Sequence, residues 1–393
     1  MSFCTEAAGP HFRYNQSMNI GILCYPTHGG SGVVASELGA ALAERGHNVH
    51  VISYALPFRF QSYRSNLTYH EVEVSAYPLF KYPPYDLAMA GTIMEVAEAN
   101  GLDLLHAHYA IPHAISGILA REMLRNGRPE MKLVTTLHGT DITIIGQQRV
   151  YKKVTSFGIA RSDRVTCVSH ELRSRTLGLL ECDADHVEVL PNFIDVRRFV
   201  PGCCPDKRRQ LGHHDEKIIL HVSNFREVKR PRDMIHAFAR VVGKINARLA
   251  LVGDGPELAA CKELVEKLGL RRQVSFIGTY DAIWELMPQA DLFYLPSEYE
   301  SFGLSALEAM ACGVPVVASH TGGLPEVVTS GQTGILVPVG DIQVHADAMI
   351  ELLSDDTKRK AFGAAAREVA VGRFALEKIL PQWESLYERT LKG

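Results

Sequence analysis

The sequence predicts an α/β protein with two Rossmann-like domains that face each other. Short apolar runs of strand length alternate with helical stretches along most of the chain, which is typical of parallel sheets covered by helices on both faces. The alternation closes at Pro191-Asn192 and restarts after the polar segment 201–216, which we interpret as a linker or loop. The length of 393 residues suits two or three domains of roughly 150 residues each.

The first half contains six predicted strands with helices between them. Gly46 follows the first predicted helix, where it serves as a C-cap. The predicted strands span 19–25, 48–54, 102–109, 131–138, 163–169 and 186–192, and the predicted helices include 33–45, 87–100 and 116–126.

The second half repeats the alternation, so we expect a second parallel sheet. The last stretch, 358–391, is predicted to be largely helical with an interruption near Gly372 and Pro381. The predicted strands are 217–223, 247–255, 273–278, 290–296, 314–319 and 334–339, and the predicted helices are 233–242, 257–268, 304–311 and 345–354.

These patterns divide the chain into a tail, two domains and a final helix. Residues 1–17 lack the apolar core of a signal peptide and are predicted to be a disordered tail, which leaves either Met1 or Met18 as the native start. The first domain is predicted to span 18–192 and the second 193–372. Residues 373–393 form the predicted C-terminal helix.

Composition disfavours several classes of protein. Lys and Arg number 41 against 44 Asp and Glu, and a net charge of −3 argues against nucleic acid as the main ligand. The sequence contains no run of 18 apolar residues, the length that would predict a membrane-spanning helix, and we expect no membrane partner. Eight cysteines without framework spacing, including the adjacent Cys203 and Cys204, indicate a reducing, cytoplasmic setting. Whether the chain forms a homodimer stays open.

The first candidate site is the turn His28-Gly29-Gly30-Ser31-Gly32 between a strand and a helix. Glycines allow the backbone to approach an anion, and a helix N-terminus supplies N–H donors. The turn is not G-x-G-x-x-G, and the second strand ends in Ser53-Tyr54 without an acid for a ribose, so a nicotinamide site is disfavoured. The alternative is a tight turn without a ligand.

The second candidate site is rich in histidine. His106 and His108 share one face of a strand, His113 follows shortly after, and His138 precedes Gly-Thr-Asp. Three interpretations stay open: a metal site, which lacks familiar ligand spacing; buried histidines with satisfied hydrogen bonds; and polar substrate contacts made by Tyr109 and His138.

Two further candidates follow strands of the second half, where ligands of open α/β sheets bind. Arg226 and Lys229 would clamp a diphosphate, although a solvated basic turn has the same composition. Glu300 and Glu308 are eight residues apart around the start of a predicted helix. The N–H groups between them would meet phosphate or sugar oxygens, and Glu308 would accept two ribose hydroxyls. A capped helix with Glu308 facing solvent is the alternative.

Residues 300–308 resemble the E-x7-E signature of the retaining GT-B glycosyltransferases of family 4, and segments 252–256, 313–318 and 322–326 resemble that family as well. The resemblance extends from about Met18 to the C-terminus. Narrower similarity, at 24–39, 56–60, 82–88, 106–114, 135–143 and 223–230, is to the subgroup that transfers GlcNAc to L-malate at the start of bacillithiol biosynthesis.

The resemblance implies a GT-B fold with a deep interdomain cleft, an acceptor domain at 18–192, a nucleotide-sugar donor domain at 193–372 and a C-terminal helix that crosses back. It implies UDP-GlcNAc and L-malate as small-molecule partners, and no metal or other cofactor. The implied catalytic residues are His138, Lys229, Arg226 and Glu300. The implied donor-binding residues are Gly30, Asn224, Arg226, Lys229, Gly253, Asp254, Glu300, Ser301, Phe302, Gly303, Leu304 and Glu308. The implied acceptor-binding residues are Ser31, Arg59, Tyr109, Thr136 and His138.

One segment departs from the family pattern. Ser223-Asn224-Phe225 stands where the family commonly has Gly-Arg-Leu, and the arginine comes later, as Arg226, while Lys229 is kept. The phosphate role of Lys229 is therefore better supported than that of Arg226.

The resemblance also implies retention by front-face attack, because no enzyme nucleophile is evident. A covalent carboxylate intermediate is the less favoured route, and Asp141 is the one acid that we find near the acceptor domain's candidate site. The D-x-D string at 183–185 is interpreted as a surface turn instead of a metal site. Other acceptors, such as inositol phosphate or a lipid carrier, and an epimerase or binding protein on the same fold, stay open.

Overall fold

The structure is a computed structural model, and the residues it describes are 17–26, 29–57, 59, 64–74, 81–124, 131–145, 149–213 and 215–393. The predicted tail lies outside the described residues except for Ser17, and His28 of the glycine-rich turn also lies outside them.

In the first half, the described residues form a seven-stranded parallel sheet with the order β3-β2-β1-β4-β5-β6-β7. The strands are β1 Asn19–Leu23, β2 Asn48–Ser53, β3 Leu67–Glu71, β4 Leu104–His108, β5 Lys132–Leu137, β6 Arg164–Cys167 and β7 Val187–Val189. The helices are α1 Gly30–Glu44, α2 Tyr85–Asn100, α3 Ile115–Leu124, α4 Arg149–Arg161 and α5 His170–Leu179.

In the second half, the described residues form a six-stranded parallel sheet with the order β10-β9-β8-β11-β12-β13. The strands are β8 Lys217–Val222, β9 Ala247–Val252, β10 Val274–Gly278, β11 Leu292–Leu295, β12 Val316–Ser319 and β13 Gly334–Val337. The helices are α6 Arg208–Leu211, α7 Pro231–Val242, α8 Leu258–Lys267, α9 Ile283–Leu286, α10 Leu304–Ala311, α11 Leu324–Val327, α12 Ile342–Ser354, α13 Asp356–Phe374 and α14 Leu376–Lys392.

The predicted α/β architecture with two Rossmann-like sheets is therefore confirmed, while three local predictions need correction. Strand β3 was missed, because its five residues form an edge strand with little apolar periodicity. Segment 201–216 is not all irregular, since it contains α6 and a preceding 3-10 turn at Pro205–Lys207. The C-terminal interruption lies at Ala375, whose backbone is extended, and Pro381 lies inside α14.

The chain passes between the two halves twice, near Ile194 and near Ala375, and these two segments pair with each other. The N–H of Ile194 donates to the Phe374 carbonyl at 2.9 Å, and the N–H of Leu376 donates to the Ile194 carbonyl at 2.9 Å. Helix α14 then packs Trp383 and Tyr387 into the apolar core beneath the first sheet. Helix α14 thus packs in the core of the first half, while the predicted division into domains and a C-terminal helix over 373–393 stays a prediction.

The strand order positions the candidate site. Each sheet reverses direction of winding at one place, between β1 and β4 in the first sheet and between β8 and β11 in the second. Ligands of doubly wound sheets bind at this reversal, beyond the carboxyl ends of the strands. The segments after these four strands contain most of the predicted site residues. None of the helices in the described ranges is both long and apolar enough to cross a bilayer.

Candidate functional site

Two helix N-termini face each other across the halves. Gly30 begins α1, and a Cβ placed on it would lie 3.7 Å from Cδ2 of Leu304, the first residue of α10. The N-cap residues are Gly29 and Gly303, and neither helix receives a side-chain cap. Because the first N–H groups of a helix need partners and carry partial positive charge, the two ends converge on a place suited to an anion.

Two loops of the second half, 253–255 and 223–224, approach each other closely beside the candidate site. Gly253 and Gly255 have positive φ angles of 123° and 157°, and a Cβ on either would overlap the carbonyl oxygen of Ser223 or Asn224. Only glycine allows this approach. The side-chain Oδ1 of Asn224 is buried and has no hydrogen-bond partner in the described parts of the chain. Asp254 is exposed, and its carboxylate accepts from the N–H of Gly255 at 2.7 Å.

The predicted diphosphate lysine is paired with the first glutamate of the signature. Lys229 Nζ donates to Glu300 Oε1 at 2.6 Å, and Ser297 Oγ donates to the same oxygen at 2.7 Å. Arg226 is exposed and makes no ion pair with the residues described, yet its charge acts on Tyr109 across the halves. Burial raises the pKa of Tyr109 to about 12, while the charge of Arg226 opposes that shift.

The second glutamate of the signature is buried, so the interpretation of a solvent-facing Glu308 is wrong. Its Oε1 lies 3.1 Å from Arg59 Nη2, and Arg59 Nη1 lies 3.1 Å from Glu37 Oε1. The guanidinium also lies over the rings of Phe199 and Trp284, at 5.5 and 5.6 Å from their centroids. Burial raises the pKa of Glu308, and the charge of Arg59 opposes that rise.

Two predicted acceptor residues and the predicted catalytic histidine form one cluster on the first half. Ser31 Oγ and Tyr109 OH are 2.7 Å apart, and the Tyr109 ring lies 5.2 Å from that of His138. Tyr109 has a φ of 94°, an uncommon conformation for a residue with a side chain and one that clusters at functional sites. Behind it, His108 Nδ1 and His138 Nε2 share a hydrogen bond of 2.8 Å.

His106, two residues before His108, belongs to the core of the first half. His106 Nδ1 meets Tyr387 OH at 2.8 Å, and its Nε2 meets Thr136 Oγ1 at 2.7 Å. The Thr136 hydroxyl also lies 2.7 Å from that of Thr166, so it joins an internal network. Burial lowers the pKa of both His106 and His138 to about 3, which keeps their rings neutral. No three His, Cys, Asp or Glu side chains of the described ranges form a group that could hold a metal ion.

The acids considered for other chemistry have local structural partners. Asp141 is fully buried, its carboxylate accepts from the N–H groups of Gly139 at 3.0 Å and Ala110 at 3.3 Å, and burial raises its pKa to about 6. Asp183 accepts from the N–H of Asp185 at 3.0 Å and begins a 3-10 turn. Asp183 therefore organises its own turn, and Asp141 ties its own loop to the segment that follows β4.

Close contacts join the two halves beside the cluster. Gly139 has a φ of 109°, and a Cβ there would lie 2.7 Å from the Cβ of Ser301. Ser169 Oγ donates to the Ser301 carbonyl at 2.7 Å, and Phe302 is buried against Phe374 with ring centroids 5.7 Å apart. The approach of the His138 loop to α10 therefore requires glycine at position 139.

A carboxylate of the second half caps a helix of the first half. The side chain of Glu326 accepts from the N–H of His170 at 2.9 Å and from that of Glu171 at 2.8 Å, at the start of α5. The favourable alignment of a carboxylate with a helix N-terminus makes this contact a link between the halves.

Comparison with known proteins decides the family. The chain is 46% identical over 376 residues to the N-acetyl-alpha-D-glucosaminyl L-malate synthase of Bacillus anthracis, covering 95% of this chain and 98% of the relative. The chain belongs to family 4 of the glycosyltransferases. It is also 28% identical to a D-inositol 3-phosphate glycosyltransferase of Corynebacterium efficiens, over 91% of this chain and 90% of that one.

Family models and solved structures agree with this glycosyltransferase assignment. Residues 28–198 match the model described as Glycosyltransferase Family 4, and 205–369 match that of Glycosyl transferases group 1. Sucrose-phosphate synthase from Thermosynechococcus elongatus is similar at 25% identity with a TM-score of 0.78, covering 95% of this chain and 98% of that one. Anabaena HepE in complex with UDP and glucose has the same fold, with a TM-score of 0.81 at 22% identity and coverage of 94% and 99%.

The structure of the glycosyltransferase brings most of the predicted site residues to the place where the two halves meet. The hydroxyl of Thr136 instead joins an internal network, and the carboxylate of Asp254 binds its own loop. The sequence analysis did not single out Glu37 or Ser297, which contact predicted residues from elsewhere in the chain. It named His108 as a member of the histidine-rich site, without its hydrogen bond to His138. Glu326 was noted only as part of a family string, because nothing local indicates that its carboxylate caps α5.

Proposed function

We propose that this glycosyltransferase moves GlcNAc from UDP-GlcNAc to the hydroxyl of L-malate with retention of the α configuration, the first step of bacillithiol biosynthesis in the cytoplasm. The observation that supports it most is the 46% identity to a relative named N-acetyl-alpha-D-glucosaminyl L-malate synthase, spread over both halves of the chain. The geometry of the site supports a sugar-diphosphate donor independently.

The diphosphate would lie between the N-termini of α1 and α10, where backbone N–H groups converge. Lys229 would leave Glu300 for the phosphate, and Arg226, which is exposed and unpaired among described residues, would add a second cation. Preorganised donors of this kind stabilise the negative charge that develops on a leaving group. These cations would take the place of a metal ion, and Glu308 would accept the ribose hydroxyls.

Retention would follow from front-face attack. The malate hydroxyl oxygen forms a bond to the anomeric carbon on the side from which the diphosphate oxygen departs, and that departing oxygen takes the hydroxyl proton. The neutral ring of His138 would bind the sugar close to the reacting carbon. Asp141 is unsuited as a covalent nucleophile, because its carboxylate is buried and accepts from the backbone N–H groups of Gly139 and Ala110.

The acceptor would lie on the first half beside the donor. The hydroxyls of Ser31 and Tyr109 would face the acceptor. Arg59, which is paired with Glu308 and Glu37, would exchange one of these carboxylates for a malate carboxylate. Malate carries two carboxylates, so a guanidinium fork is a suitable partner. Thr136 would support the acceptor site indirectly, through its hydrogen bonds with His106 and Thr166.

Release of UDP from UDP-GlcNAc, measured with and without L-malate in excess EDTA, tests the proposal. We expect malate-dependent release and an α-linked product by NMR. D-inositol 3-phosphate is the competing acceptor, because relatives with that activity are similar over most of the chain. Release that depends on inositol phosphate alone would overturn the acceptor, loss of activity in EDTA would revive a metal role, and no release under any condition would favour an epimerase or a binding protein.

A further inference from the structure

Two adjacent cysteines lie in the segment that leads into the second half. The Sγ atoms of Cys203 and Cys204 are 2.8 Å apart, and both side chains are half-buried free thiols. Cys204 has a φ of 53°, in the left-handed region, and begins the 3-10 turn Pro205–Lys207. A disulfide bond is about 2.05 Å long, so a small movement would join these atoms.

The segment is anchored to the second half on both sides of the pair. The carbonyl of Cys203 accepts from Gln289 Nε2 at 2.5 Å, and that of Cys204 accepts from the N–H of Lys207 at 2.9 Å. Lys207 Nζ in turn lies 3.1 Å from Glu285. A change in the backbone at positions 203 and 204 would therefore move these contacts.

The same segment touches the C-terminal end of α10, the helix that contains Glu308. Pro201 lies 3.4 Å from the position of a Cβ on Gly313. Arg367 Nη1 donates to the carbonyl of Phe199 at 2.6 Å and to that of Ala311, the last residue of α10, at 2.5 Å. The chain just before the cysteine pair is thus linked to the end of the proposed donor helix, by Pro201 beside Gly313 and by Arg367, which bridges the carbonyls of Phe199 and Ala311.

We propose that Cys203 and Cys204 form a redox site that low-molecular-weight disulfides oxidise, and that oxidation weakens donor binding through α10. The thiolate of one cysteine attacks the small disulfide and expels one thiolate, giving a mixed disulfide. The second cysteine attacks the protein sulfur of that bond and expels the other thiolate. One protein S–S bond forms, one small S–S bond breaks, and the two released thiols carry the two protons. The effect on donor binding rests on the proposed role of Glu308.

Such a bond would be readily reversible. Adjacent residues have Cα atoms about 3.8 Å apart across a trans peptide, shorter than the 4.4–6.8 Å that a disulfide usually spans. Strained and accessible disulfides have more oxidising potentials and are the regulatory kind. Four other cysteines of the described residues, Cys24, Cys167, Cys261 and Cys312, are buried, which restricts the access of a small disulfide to them. The hydrogen bond with Cys203 raises the pKa of the Cys204 thiol, so exposure and proximity, and not the pKa, distinguish the pair.

Equilibration of the full chain with mixtures of oxidised and reduced glutathione tests the site. We expect a species lighter by two hydrogens, located by peptide mapping to the Cys203–Cys204 peptide and reversed by dithiothreitol. UDP affinity, measured without any acceptor, should fall at least about fivefold in that species, the lower end of typical coupling between sites. Cys203→Ser should abolish both effects, and Cys204→Gly is the second variant because glycine accepts the left-handed backbone.

Cys182→Ser is the matched control, since it removes a half-buried cysteine and leaves the pair intact. A mixed disulfide at Cys182 without two-hydrogen loss at the pair would overturn the redox site. Bond formation with unchanged UDP affinity would overturn the coupling to α10. If the reduced protein binds no UDP at all, the proposed donor site fails, whereas the mass change still reports on the cysteine pair.

Discussion

The guanidinium of Arg59 holds the buried carboxylate of Glu308 at 3.1 Å, although the two residues are 249 positions apart and belong to different halves of the chain. Arg59 was expected to bind the acceptor and Glu308 the donor ribose. The structure shows that the two side chains contact each other, with Glu37 as a third member, and both roles stay predictions. A ribose that binds Glu308 must therefore share the carboxylate with Arg59 or displace it.

Arg59→Ala should lower the free energy of unfolding by about 3–5 kcal/mol, because it leaves the buried carboxylate of Glu308 without its cation, while Glu37 keeps Arg198 at 3.1 Å. Urea denaturation measures this loss. In a double-mutant cycle with Glu308→Gln, the two losses should be markedly less than additive, since the second change removes the charge that the first leaves unpaired. Additive losses would show that the interaction between Arg59 and Glu308 contributes nothing to the free energy of unfolding.

Glu308→Ala should weaken UDP binding by about 1–3 kcal/mol, the effect of removing charged hydrogen bonds to the ribose. Titration calorimetry with UDP alone gives the value. Glu298→Ala is the control, because it removes an exposed carboxylate from the loop before α10. UDP affinity equal to that of the wild type would remove Glu308 from the donor site.

Local patterns predicted much of this fold, and the strand order explains why the predicted site came together. The helix 304–311 was predicted with its observed bounds, because Gly303 and Gly313 delimit it. The pairing of Arg59 with Glu308, and that of His106 with Tyr387 across 281 positions, could not be predicted, since no local pattern encodes which distant side chains meet. The edge strand β3 was missed for a different reason, because its short, half-exposed sequence carries little periodicity.

Lys229→Met should lower kcat by about 100- to 1,000-fold, the range observed when one preorganised donor to a developing anion is removed. Steady-state rates with saturating UDP-GlcNAc and malate measure the effect. Lys244→Met removes an exposed lysine elsewhere in the second half and should leave kcat unchanged. Turnover close to the wild type in Lys229→Met would exclude a role for this residue at the leaving group.

Acid should destabilise the fold below about pH 6.5, because buried histidines are neutral in the native state. Burial lowers the pKa of His106 and His138 to about 3 and that of His221 to about 4, from an unfolded value of 6.5. Between those values the unfolded chain binds more protons, so stability is present above pH 6.5 and is lost as the pH falls. Asp141, with its pKa raised to about 6 by burial, acts in the opposite direction.

Urea midpoints followed across this pH range measure that proton uptake. His106→Gln should reduce the uptake on unfolding by about one proton, whereas the exposed His320→Gln should not. An unchanged pH dependence in His106→Gln would show that His106 is protonated in both states.

Glu326→Gln should loosen the contact between the halves, because its carboxylate accepts two backbone N–H groups at the start of α5. The residue before helix α11, which contains Glu326, is also bound to the first glutamate of the signature, since the N–H of Gly323 donates to the Glu300 carbonyl at 2.8 Å. Loss of the charge therefore weakens a link between the donor loop and the acceptor half, by roughly 1–3 kcal/mol.

Small-angle scattering should report a larger radius of gyration for Glu326→Gln, and kcat/KM for UDP-GlcNAc should fall several-fold while the fold stays intact by circular dichroism. Asp347→Asn is the matched control, because its exposed carboxylate contacts Gln343 within the same helix. Unchanged scattering with normal kinetics would mean that the halves are held together without Glu326, and that the contacts of Ser169 and Gly139 with Ser301 are sufficient.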